Sequence, residues 1–166
     1  MQTHAIAGGT FQFSAVRPED LGAAEYTLVS IVTDTTGSVA GFEKVLRQAV
    51  IDAVRACEKS PRADNLLIRL TTFNNTVQEV HGFKTLRQID AQKDYKPFRC
   101  DGSTALYDAV KESLLATNSY AKLLSDNDFD VNGIIFILTD GEDNASRANR
   151  TDVAGALRNV QRDEHL

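Results

Sequence analysis

Three runs of apolar and β-branched residues recur along the chain with helical patterns between them, and that alternation decides the fold class. Residues 26–33 (YTLVSIVT), 65–73 (NLLIRLTTF) and 131–139 (VNGIIFILT) have the composition of strands buried on both faces. Residues 38–58 place Phe42, Val45, Leu46, Ala49, Val50, Ala53, Val54 and Cys57 at three-four spacing, the stripe of an amphipathic helix. Residues 105–124 repeat that pattern with Tyr107, Val110, Leu114, Ala121 and Leu124. Asn74-Asn75 signals a turn, so residues 76–83 are expected to return antiparallel beside 65–73. Residues 85–92 suit one or two helical turns. Thr151 is expected to cap a final helix that buries Val153, Ala156, Leu157 and Val160.

Strands alternating with helices predict an α/β fold. The expectation is a Rossmann-like open, mostly parallel sheet with one antiparallel edge strand and helices on both faces. The run 131–139 is expected to be its central strand. A last helix with an apolar stripe normally leads into another strand, and none follows Leu166, so the pattern reads as truncated after the fourth core strand and its helix. Residues 1–24 read as an extension: 10–15 alternate like a short strand and 18–22 form a turn. The extension is expected to add a strand or hairpin or to cover a sheet edge, with 25–166 as the domain proper.

Composition narrows the function. The 166 residues are 42% hydrophobic and 25% charged, enough for one domain with a core that needs no staples. Cys57 and Cys100 lack a CxxC pattern or a nearby histidine, so neither a disulfide scaffold nor a zinc site is expected. Reduced thiols suit a cytoplasmic location. The net charge of −5 argues against a nucleic-acid partner. The longest apolar stretch, 134–138, falls far short of the roughly 20 residues that span a bilayer, and the N-terminus lacks a signal-peptide pattern. No membrane partner is expected.

The chemistry gathers at strand ends and helix starts. The first core strand runs into Asp34-Thr35-Thr36-Gly37-Ser38, the last into Thr139-Asp140-Gly141-Glu142-Asp143-Asn144, and the second helix opens after Asp101-Gly102-Ser103-Thr104. In open α/β sheets ligands collect at the carboxyl ends of strands. Asp34, Thr36, Ser38, Thr104 and Asp140 are all hard oxygen donors, which select Mg2+, Mn2+ or Ca2+ over softer metals. Two carboxylates would roughly neutralise a divalent cation. A remaining coordination position would favour a Glu or Asp carboxylate from a protein partner.

DTTGS resembles the D-x-[ST]-x-S signature of von Willebrand factor A-type domains. Thr104 in STALYDA and Asp140 in TDGEDN resemble the other two parts of their metal-ion-dependent adhesion site. The resemblance covers residues 25–144 with the motifs in order. It implies Thr36 and Ser38 as direct ligands, Thr104 as a ligand that binds directly or through water, and Asp34 and Asp140 as anchoring carboxylates. It also implies a divalent-dependent protein-interaction module rather than an enzyme. Thr36 stands where serine is commoner, which keeps the hydroxyl.

Plainer roles compete at each position. Asp34 and Ser38 also suit turns and helix caps, and Thr104 suits a cap compatible with ligation. Glu142 and Asp143 read as a solvated loop, Asp101 as a turn residue, and His4, His81 and His165 as surface residues. Arg147, Arg150, Arg158 and Arg162 read as a charged helix face, and Gly8-Gly9 as a turn. DTTGS also resembles the phosphorylated-aspartate loop of haloacid-dehalogenase-like phosphatases, with Asp34 as nucleophile and Mg2+ as cofactor. That alternative lacks the second aspartate where Thr36 stands, and Lys122 is the nearest lysine before the last motif.

Overall fold

A computed structural model describes residues 1–6 and 11–162. Six strands form one sheet: β1 (Gln2–Ala5), β2 (Gln12–Ala15), β3 (Glu25–Asp34), β4 (Leu66–Phe73), β5 (Val77–Thr85) and β6 (Asp130–Leu138). Their spatial order is β1-β2-β5-β4-β3-β6. β3 pairs in parallel with β4 and with β6, and β5 lies antiparallel to β4. Helix α1 (Glu43–Glu58) covers one face, and α3 (Leu106–Ser125) covers the other with α4 (Arg150–Arg162) packed against it. The short helix α2 (Ala91–Asp94) follows β5. The α/β architecture is the expected one.

Alternation along β3 explains the layers. Val29 and Ile31 pack with Val50, Ile51 and Val54 of α1, whereas Leu28 packs with Ala116 and Tyr120 of α3. Both faces are covered, so nearly the whole strand is buried and reads as a continuous apolar run.

The N-terminal segment extends the sheet beyond β5. β1 and β2 form an antiparallel hairpin, and β2 meets β5 in parallel through Ala15 and Phe83. Phe13, Phe83 and Tyr120 make an aromatic cluster under this junction, and the Tyr120 hydroxyl donates to Val16 O at 2.7 Å. His4 stacks on Phe13 with ring centroids 5.2 Å apart. Gly8-Gly9 and Thr10 lie outside the described residues, as does His165.

Four expectations need correction. The first core helix begins at Glu43 rather than Ser38, because Gly41 adopts φ +92° and interrupts the turn that follows Gly37–Val39. The buried residues of α1 are Val50, Ile51 and Val54, while Phe42 and Val45 are exposed rather than part of the expected stripe. The 131–139 run is not central: β6 pairs only with β3, and among the described residues no strand lies on its outer side. Ile134 and Phe136 are therefore 43% and 49% exposed. Apolar content reports capacity for burial, whereas the position of a strand is set by its pairing. Asn149, not Thr151, caps α4 by accepting from the amides of Thr151 and Asp152.

His81 is the fourth correction, for it is buried on β5 rather than surface-exposed. Its Nδ1–H donates to Gly82 O at 2.8 Å, and Nε2 accepts from the Tyr95 hydroxyl at 2.9 Å. The rings stack 5.7 Å apart at 9°. Burial lowers the His81 pKa below 6.5, against the opposing pull of the Gly82 carbonyl, and Lys84 lowers it further. The neutral ring is thus the folded form, and the unfolded chain binds the proton more readily. The His81 contribution to stability is therefore fully present above pH 6.5 and is lost as the pH drops below that value. Urea midpoints at pH 7.5 and 5.5 should fall less for His81→Gln than for the parent chain.

Candidate metal centre

Parallel pairing brings the ends of β3 and β6 to one rim. Thr33 pairs with Leu138, so β3 and β6 deliver Asp34 and Thr139-Asp140 to the same end of the sheet. Asp34 is fully buried there. Its Oδ1 accepts from the Thr36 amide at 2.9 Å and its Oδ2 from the Thr139 hydroxyl at 2.7 Å. These bonds lock the carboxylate and satisfy a buried charge. Thr139 is a residue that sequence reasoning passed over, although it stands next to Asp140 in the motif.

Beyond Asp34 the chain turns sharply. Thr36 Oγ1 and Ser38 Oγ lie 3.0 Å apart, with Thr36 buried and Ser38 exposed. This is the close same-side presentation expected of alternating positions. The 34–38 turn is tied to the 101–104 turn, since Asp101 N donates to Thr35 O and Gly37 N to Gly102 O, each at 3.0 Å. Gly102 has φ +76°, and a Cβ there would fall 2.0 Å from Asn75 Oδ1. Only glycine allows this approach. Thr104 follows, 3% exposed, at the entrance to α3. Asp140 is exposed at the end of β6.

The loop after β6 is not simply solvated. A helix start leaves amides without intrahelical partners, and this loop supplies them. Asp143 Oδ1 accepts from Tyr107 N at 3.3 Å and Ser146 Oγ from Asp108 N at 3.1 Å. In return the Asp108 carboxylate accepts from Arg147 N and Ala148 N at 3.0 and 2.8 Å. Asp143 is therefore a cap delivered from a distant segment, a role invisible to rules built on local spacing. Glu142 is exposed, as expected.

The Cys100 thiol is pushed above its usual range by partial burial first, then by the charges of Glu43, Asp34 and Asp101. Among the described residues no three His, Cys, Asp or Glu side chains group closely enough to hold a metal. A site here would depend on hydroxyls joining the two carboxylates. The Lys122 side chain is far from this rim, near the C-terminal end of α3, where it pairs with Asp126 at 3.0 Å.

No family model matches the sequence. No curated protein matches it either. Solved structures do share its fold. Proximal thread matrix protein 1 from the mussel byssus superposes with a TM-score of 0.55 at 21% identity, over 82% of this chain and 34% of that one. The PilB minor pilin from Streptococcus sanguinis gives 0.54 at 19%, over 73% and 31%. A von Willebrand factor type A structure from Catenulispora acidiphila gives 0.51 at 15%, over 81% and 30%. The chain spans no more than 34% of the length of any of these three. The architecture is that of the von Willebrand factor A-type fold.

Proposed function

We propose that this chain is a divalent-cation-dependent protein-binding module. Thr36 and Ser38 would ligate the ion directly, with Thr104 joining directly or through water. Asp34 and Asp140 would supply the charge. Mg2+ is the first choice and Mn2+ or Ca2+ the alternatives, since every donor is a hard oxygen. The observation that carries the reading is the pair of hydroxyls 3.0 Å apart beside a locked, buried carboxylate. An ion held this way would keep a position for a Glu or Asp carboxylate of a partner protein.

The carboxylate-nucleophile alternative draws less support. Both Asp34 oxygens already accept hydrogen bonds, and Lys122 is committed to Asp126 away from the rim. The expected result is Mn2+ uptake at one site by calorimetry, weakened about 10–100-fold by Ser38→Ala and by Asp34→Asn. Absence of Mn2+, Mg2+ and Ca2+ uptake by the parent chain would sink the reading. Turnover of p-nitrophenyl phosphate with Mg2+, lost in Asp34→Asn, would replace it with the phosphatase.

A further inference from the structure

We propose that Asn144 is the positioning residue of this rim, holding Thr104 in place and making the Thr104 and Asp140 loops move as one body. Its bearing on an ion rests on the metal reading above. Its bearing on Thr104 does not.

The Asn144 Oδ1 atom accepts from Thr104 N at 2.7 Å, and Asn144 N donates to Thr104 O at 2.9 Å. Ala145 N adds a second donor to the same oxygen at 3.0 Å. The two backbone polar groups of Thr104 are thus both satisfied from one point of a segment 40 residues downstream. The next residue is held too, for Ala105 N donates to Asn74 O at 2.9 Å. Thr104 is 3% exposed, so water does not readily replace these partners. With its backbone clamped, the threonine keeps essentially one freedom, χ1, and that angle is stiff in a β-branched side chain. The clamp therefore determines where the Thr104 hydroxyl points.

Asn144 differs from its neighbours in the loop. Asp143 and Ser146 bond to the first turn of α3 and support the helix, whereas the Asn144 side chain bonds to Thr104 alone among the described contacts. Asn144 is itself exposed, so trimming it leaves no cavity. It is also four positions beyond Asp140 on the same connection. While the clamp holds, a displacement of this loop carries Asp140 and Thr104 together. Two candidate ligands far apart in sequence would then be gained or lost in one step.

The test uses the whole chain with 15N label, and compares Asn144→Ala, which removes the acceptor, with Asn144→Asp, which keeps it. Without metal, the Thr104 amide should exchange about tenfold faster in Asn144→Ala and at the parent rate in Asn144→Asp. With Mn2+ as probe, Asn144→Ala should bind about 10-fold more weakly, and Asn144→Asp should match or exceed the parent chain. An unchanged Thr104 exchange rate in Asn144→Ala overturns the proposal, as does equal loss in both variants. If the parent chain takes up no Mn2+, the ion reading fails and the exchange rates alone decide the role of Asn144.

Discussion

Replacing Arg69 with methionine while Glu112 stays in place should cost about 3–5 kcal/mol of folding stability. Arg69 lies on β4 and is 1% exposed. Its Nη2 and Nη1 atoms donate to Glu112 Oε1 and Oε2 of α3 at 2.7 and 3.2 Å, and its Nε donates to Glu79 Oε2 of β5 at 2.9 Å. The other oxygen of Glu79 accepts from the amide and hydroxyl of Ser14 on β2 at 2.9 and 2.6 Å. One guanidinium thus pairs with two carboxylates and ties helix, sheet and hairpin together. Without it, Glu112 would be a buried anion with 2% exposure and no counter-charge.

The double variant Arg69→Met/Glu112→Leu should recover most of that loss, because a buried ion pair and a packed apolar pair of similar volume are often close in stability. Urea midpoints of the two single variants and the double variant form the cycle. Additive losses would show that the pair is not coupled. Burial pushes the Glu112 pKa up even with Arg69 beside it. A carboxyl whose folded pKa is raised holds its proton more tightly when folded, so acidification favours the folded form. The Arg69→Met penalty should therefore shrink as the pH is lowered towards the usual carboxylate range.

Gly82→Ala should detach the N-terminal hairpin. A Cβ at Gly82 would stand 1.6 Å from Ser14 O and 2.2 Å from Ser14 C. Those are backbone atoms, so no rotamer change relieves the clash, and β2 must move away from β5. The shift exposes Phe13, Ala15 and Val16, all buried in the cluster with Phe83 and Tyr120. A loss of about 3 kcal/mol is expected, at the upper end of the usual cost of overpacking. Chymotrypsin should then cut at Phe13, which is 1% exposed in the native chain. Gly22→Ala is the control, since a Cβ there meets nothing within 4 Å. Equal protease resistance in both variants would mean that the junction tolerates a side chain after all.

The metal-site candidates were more legible than the contacts that hold them. Asp34, Thr36, Ser38, Thr104 and Asp140 stand out because hydroxyls and carboxylates follow apolar strands or precede helices, a pattern local spacing can reveal. The parallel order of β3 and β6 then brings their ends to one rim. Thr139, Asp143 and Asn144 act across 105, 36 and 40 positions. Nothing in their own neighbourhoods distinguishes them from ordinary polar loop residues. The burial of His81 and of Arg69 is hidden from the sequence for a related reason. Polar residues are usually exposed, and only the partners delivered by α3 and by the segment around Tyr95 permit their burial.

Periodicity and residue type, both local properties, were enough to determine the α/β class, the antiparallel return of β5 and the loops that carry the oxygen donors. Strand neighbours, the place of β6 beside β3, the docking of the hairpin on Gly82 and the clamps on Asp34 and Thr104 were decided only in three dimensions. Each depends on hydrogen bonds and close contacts between segments whose separation along the chain leaves no periodic trace.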